Sequence, residues 1–355
     1  MEKTEFQDLN FFKFIKSSNY LNALFFLFFF LSIFFFFNHI TTILNYDNIR
    51  IYQSYEPSRD DEKIDFNQLF YNLYIFDHSE FLSSNREIGG FEGGDGRHKL
   101  RWLYRDLETR LFKKLFLFFP KKPLTFYTLL NTLYCFFSFF FTFLTISQIC
   151  NNYSQRKLLL CGFIFNFFIF LIFFTGYQTI FTLPEMFYIS IGIYFSLKSN
   201  FFLFLIPLFL AVINRESGIA LSFVFIIFNF RKLYSYSLPL IAVLSLLIVN
   251  YDLILNQNLY SISTYFPIEE KFITNKTSLA SLIFFLFFLF NFLVVLFFII
   301  QKKNSNEKFL ELAIISLLYF LIAIFGTNLT NVFSLLLIVP SITILFVFSY
   351  EKIRY

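Results

Sequence analysis

Charge is what this chain of 355 residues has least of: Asp, Glu, Lys and Arg make up 15% of it, against about 25% in a soluble domain. The run 22–37 carries no charge at all. That scarcity excludes a soluble enzyme and a disordered chain. Cysteine is sparse too. Cys135, Cys150 and Cys161 are odd in number, lie in or beside apolar runs and show no CxxC spacing. A disulfide scaffold and a thiolate metal site are therefore excluded, and the three read as small inert hydrophobes. His39, His78 and His98 stand far apart, so no metal centre is expected, and no cofactor motif is present. Ten glycines without a G-X-Y period exclude a collagenous rod.

What the chain does have is apolar mass. Hydrophobic residues make up 57% and Phe alone numbers 63, against a single Trp. T-rich codons give such a bias, so Phe serves here as the general lipid-facing residue. The expected fold is all-α: a polytopic membrane bundle forming one domain over 1–355, with 44–123 as an external loop within it. Spanning helices need about 20 apolar residues. The apolar runs are 21–43, 124–148, 157–174, 178–197, 200–213, 218–230, 237–255, 278–300, 309–325 and 329–349. They make about ten spans, two of them short. No cleavable signal peptide is expected, because the first apolar run is too long for an h-region.

The connections fall into two sets that alternate along the chain. One holds Lys3, Lys13 and Lys16, Arg156 and Lys157, Lys198, Arg231 and Lys232, Lys302, Lys303 and Lys308, and Lys352 with Arg354. The other holds 175–177, 214–217, 256–277 and 326–328, whose short members carry few positive charges. Because basic loops stay in the cytoplasm, both termini are expected there, in a multi-pass protein of a bacterial inner membrane. The net charge of +5 then reports topology rather than nucleic acid, which is not an expected partner.

The long loop is different. From Asp47 to Lys122 it holds 13 acidic and 13 basic residues, and long loops are exempt from the charge rule. Its acids cluster at Glu56, Asp60, Asp61 and Glu62. Residues 66–76 are apolar enough to meet the membrane surface. GFEGGDG at 90–96 is either a flexible turn or a place where backbone N–H groups approach an anion. From His98 on, Leu100, Leu103, Leu107, Leu111 and Leu115 recur at helical spacing, with Lys99, Arg101, Arg105 and Arg110 between them. That pattern predicts a basic amphipathic helix over 98–118 in the membrane interface. It would anchor to membrane lipid phosphates, or Arg97, His98 and Arg101 would grip the phosphate of a lipid-linked substrate.

Asn214-Arg215-Glu216-Ser217-Gly218 interrupts two apolar runs. One continuous helix there would invert every later span, so the expectation is two short helices. Thirteen residues rise about 20 Å, against a hydrocarbon core of about 30 Å, which puts the turn roughly 10 Å below the outer surface. A charged pair at that depth is either architectural or functional. Arg215 suits phosphate because its planar fork binds two oxygens. Thr182-Leu-Pro-Glu185 matches a capping box, and Glu185 faces the same side as Glu216.

These features together resemble the GT-C superfamily of integral-membrane glycosyltransferases. The resemblance rests on the cytoplasmic N-terminus, the long first external loop with its acids, the amphipathic stretch before the second span, and the Arg215-Glu216 turn between short helices. It implies transfer of a sugar from a polyprenyl-phosphate donor to an envelope acceptor at the outer face of the inner membrane. A loop carboxylate would act as base on the acceptor hydroxyl, a role the resemblance carries onto Asp60 or Asp61, with Glu56 and Asp47 competing. Arg215, Glu216, Arg97, His98, Arg101 and Glu185 would bind the substrate. The rival readings are a transporter or flippase, or a polymerase, of lipid-linked saccharides. Against transport, no inverted repeat is visible.

Overall fold

The structure is a computed structural model, and it describes residues 20–55, 123–150, 155–173, 182–214, 216–249, scattered positions within 283–293, and 307–326 and 332–354. All regular structure among these residues is helical. The helices are α1 (Tyr20–Tyr55), α2 (Pro123–Ile149), α3 (Gln155–Phe173), α4 (Thr182–Leu197), α5 (Phe201–Asn214), α6 (Ala220–Phe228), α7 (Leu238–Val249), α8 (Glu307–Gly326) and α9 (Val339–Arg354). Short 3-10 helices at Glu216–Ile219, Leu233–Ser237 and Val332–Ile338 lead into α6, α7 and α9.

Proline marks where these helices begin. Pro123, Pro184, Pro239 and Pro340 each stand in a first turn, where the missing N–H has no partner to lose. At Pro340 the effect is visible in the chain. No N–H is available for the carbonyl four residues back, and the 3-10 turn Val332–Ile338 gives way to a fresh α-helix. Pro207 lies inside α5, a position membrane helices tolerate because neighbours take up the freed carbonyl.

Among the described residues three helices are long and apolar enough to cross a membrane, at Asn22–His39, Thr128–Ile149 and Gln155–Phe173. Five further apolar helices are shorter. The outward faces are apolar at helical spacing: Leu24, Leu27, Phe28, Leu31 and Phe35 on α1, and Leu310, Ile314, Leu317 and Leu321 on α8. Water would penalise such stripes at about 25 cal/mol per Å² of apolar surface, whereas lipid does not. The inward faces carry the small polar residues instead. Thr128, Thr132, Ser138, Thr142 and Thr145 form a buried stripe on α2. Three of the hydroxyls are satisfied within the helix: Thr132 Oγ1 donates to the Thr128 carbonyl at 2.7 Å, Thr142 Oγ1 to the Ser138 carbonyl at 2.7 Å and Thr145 Oγ1 to the Phe141 carbonyl at 2.9 Å. Cys135 and Cys161 are fully buried in the same core.

Ring contacts fix the relative directions. Phe26 meets Phe143 at 6.5 Å, and Phe30 meets Phe136 at 5.6 Å, so α1 and α2 run antiparallel. Tyr134 meets Phe187 at 5.7 Å and Phe141 meets Tyr194 at 5.7 Å, so α2 and α4 run parallel. Arg156, at the start of α3, bonds Tyr350 near the end of α9. Helix α4 is the hub, packed against α2, α5, α6 and α9.

The described helices coincide with the apolar runs, with adjusted edges. Helix α1 continues past 43 to Tyr55, taking the first part of the expected loop into the helix. The remainder of that loop, including the amphipathic segment 98–118, lies outside the described residues.

Candidate functional site

The break at 214–218 is a chain reversal. Helix α5 ends at Asn214, and α6 starts at Ala220 after a 3-10 turn. A Cβ built on Gly218 would stand 2.3 Å from both the carbonyl carbon and the oxygen of Ala211. Residues seven apart on one helix would be about 10 Å apart; here the chain has folded back on itself. Helix α6 then returns alongside α4 in parallel. Ser217, before α6, bonds Glu185 in the first turn of α4. Asn229, after α6, bonds the Ser196 carbonyl in the last turn of α4.

Glu185 is the centre of this end of the bundle. Its side chain is fully buried, and Oε1 accepts a hydrogen bond from Ser217 Oγ. The sequence pattern gave the carboxylate a capping box with Thr182; the structure shows its Oε1 turned toward the reversal. Asn214, also fully buried, closes α5 at the start of the reversal. Tyr319 of α8 is fully buried within electrostatic reach of the Glu185 carboxylate. Its hydroxyl has no hydrogen-bond partner among the described residues. The parallel register of Tyr134 with Phe187 brings Asn131 of α2 level with the first turn of α4. Asn131 Nδ2 is likewise buried without a partner among the described residues. A carboxylate and a phenol thus meet inside an apolar bundle, with an amide at the same level, at the end where α1 leaves and α2 enters. Such a set can exchange hydrogen bonds with the hydroxyls of a ligand or hold a proton.

Of the residues singled out in the sequence, the structure brings together Glu185 and the 214–219 turn, where Glu216 opens the 3-10 helix. Arg215, Arg97, His98, Arg101, Asp60, Asp61 and Glu56 lie outside the described residues. Ser217 was visible as part of the motif without a role of its own. Tyr319 and Asn131 belong to no motif. A polar side chain within an apolar run, as in LLYFLI and LLNTLY, is the signal that points to them. Among the described residues no three His, Cys, Asp or Glu side chains form a metal-binding group.

Comparison with protein-family models, with curated proteins and with solved structures gives no match to this chain.

Proposed function

We propose that the chain is a membrane glycosyltransferase that moves a sugar from a polyprenyl-phosphate donor to an envelope acceptor at the outer face of the inner membrane. The buried Glu185, bonded across the Asn214–Gly218 reversal, carries this reading. Ionisable groups inside a membrane bundle are expensive and serve a substrate path by default. The antiparallel course of α1 and α2 supports it further, since both ends of the acid-rich segment 56–122 then join the bundle at the Glu185 end.

The chemistry follows from the residue types. A loop carboxylate, Asp60 or Asp61 with Glu56 as rival, takes the proton of the acceptor hydroxyl. The acceptor oxygen attacks the anomeric carbon, and the bond from that carbon to the donor phosphate breaks. The electron pair leaves on the lipid phosphate, where Arg215 and the Arg97, His98 and Arg101 group offset the charge. Glu185 and Glu216 accept hydrogen bonds from sugar hydroxyls. The ten-span course, with both termini cytoplasmic in a bacterial inner membrane, places all these groups on the outer side.

The deciding experiment is transfer of a labelled sugar from a set of polyprenyl-phosphate sugars by the purified chain in lipid. Release of polyprenyl phosphate coupled to glycosylated acceptor is expected. Arg215→Lys should lower turnover about tenfold or more, since Lys loses the two-point contact to the phosphate. Full turnover in that variant would take Arg215 out of the mechanism. Glu185 beside Tyr319 also suits a carrier of lipid-linked sugar that uses a proton. Movement of intact donor between leaflets, with no bond broken, would favour that second reading.

Topology is tested separately. Reporter fusions at Lys198 and Lys302 should behave like a C-terminal fusion, and one at Asn256 should behave oppositely. Like behaviour at Asn256 and Lys302 would break the ten-span order.

A further inference from the structure

At the end of the bundle opposite Glu185, two turns lie side by side. The first, 198–200, joins α4 to α5. Ser199 takes a φ of 56°, and Asn200 Oδ1 accepts from the Leu203 N–H at 3.1 Å. The second, 229–232, follows α6. Asn229 Nδ2 ties it to the first, donating to the Ser196 carbonyl at 2.9 Å and to the Phe225 carbonyl at 3.2 Å. Ser235 Oγ donates to the Asn229 carbonyl at 3.0 Å, and Tyr236 Oη to the Phe230 carbonyl at 2.8 Å. Both turns are therefore built and held, rather than loose connections.

They carry three cations. Lys198 Nζ stands 4.6 Å from the Tyr194 ring centre, Arg231 5.3 Å from that of Phe230, and Lys232 5.9 Å from that of Tyr234. Among the described residues none of the three pairs with a carboxylate. Arg156, also a cation at a turn, differs because it is bonded to Tyr350. Around the three cations the fixed turn holds apolar and aromatic groups outward: Leu233 is 88% exposed, and Phe230, Tyr234 and Tyr236 are exposed. Water is a poor solvent for that surface. The boundary between headgroups and acyl chains suits it, since it takes Leu and Phe below, Tyr hydroxyls at headgroup level and cations at the phosphates.

We propose that Lys198, Arg231 and Lys232 form a binding site for the phosphate of an anionic phospholipid headgroup. A zwitterionic headgroup brings its own cation to a site that already holds three. An anionic one supplies the counter-charge that the protein leaves out. The site is separate from the Glu185 end and stands or falls independently of sugar transfer.

The test is lipid retention by the purified full-length chain, read by native mass spectrometry after exposure to equal phosphatidylglycerol and phosphatidylcholine. The wild type should retain phosphatidylglycerol preferentially. Each cation removed should weaken that preference about fivefold, so Lys198→Gln, Arg231→Gln and Lys232→Gln together should weaken it on the order of a hundredfold. Arg231→Gln alone alters an exposed side chain whose contact is the Phe230 ring, and should show the fivefold step even if the triple variant fails to fold. No preference in the wild type, or an undiminished one in Arg231→Gln, overturns the site.

Discussion

Adding one methyl group at Gly218 is expected to destabilise this protein more than adding one at any other glycine placed in the core. The reason is what the methyl would meet. At Gly218 it would stand 2.3 Å from the Ala211 carbonyl carbon and oxygen and 2.6 Å from the Val212 nitrogen. All three are backbone atoms of α5, which cannot rotate away. At Gly192 the nearest atom is Leu221 Cδ1 at 2.6 Å, and at Gly162 it is Phe25 Cζ at 2.6 Å. Those are the far ends of side chains, which move by changing rotamer. Overpacking a core costs about 1–3 kcal/mol, and Gly218→Ala should reach or pass the upper figure because the reversal itself must open. For a chain of this length that corresponds to a fall in thermal midpoint of roughly 4 °C or more. Gly192→Ala should cost about 1 kcal/mol or less. Thermal unfolding of the two variants in the same detergent measures the contrast. Equal losses would mean that the tight reversal does not carry the fold.

That reversal shows how far the sequence could be read. Arg215 and Glu216 inside an apolar stretch, with Gly218 after them, announced a break, and the charge order of the neighbouring loops said the chain must turn back. The positions of the helices were legible for the same reason: in lipid only uninterrupted apolar runs can bury their own backbone. Which face of each helix turns inward was not legible. Phe163 is 72% exposed and Phe165 is fully buried on the same helix, so one residue type serves both lipid and core. A hydrophobic pattern carries no direction when both sides are apolar. The better guide is the small polar residue, as the buried stripe Thr128, Thr132, Ser138, Thr142 and Thr145 shows. Helix pairing was equally silent. The parallel course of α4 beside α6, which brings Glu185 to Ser217 and Asn229 to Ser196, joins residues more than thirty positions apart through single hydrogen bonds. The 3-10 turns at Leu233–Ser237 and Val332–Ile338 could have been suspected only from Pro239 and Pro340 just beyond them.

Glu185 is where fold and proposed chemistry meet, and its variants should separate the two. Glu185→Gln keeps an oxygen that can accept the Ser217 Oγ–H, so the α4–α6 junction should survive. The purified variant should elute and unfold much like the wild type. If the carboxylate binds a sugar hydroxyl, the amide weakens that bond from charged to neutral. Hydrogen bonds to charged groups are worth about 1.5–3 kcal/mol and neutral ones about 1, so transfer should fall roughly tenfold. Glu185→Ala removes the acceptor altogether. It leaves the part-buried Ser217 Oγ without that acceptor and should lower both stability and transfer, the latter on the order of a hundredfold. Ser217→Ala tests the junction from the other side. Its effect should be largely absent in a Glu185→Ala background, because the bond it removes is already gone. The measurements are sugar transfer at matched protein levels and the thermal midpoint of each variant. Full transfer by Glu185→Gln and by Glu185→Ala, with only the midpoint lowered, would make the buried carboxylate a strut of the α4–α6 pair and leave the chemistry to the loop acids and Arg215.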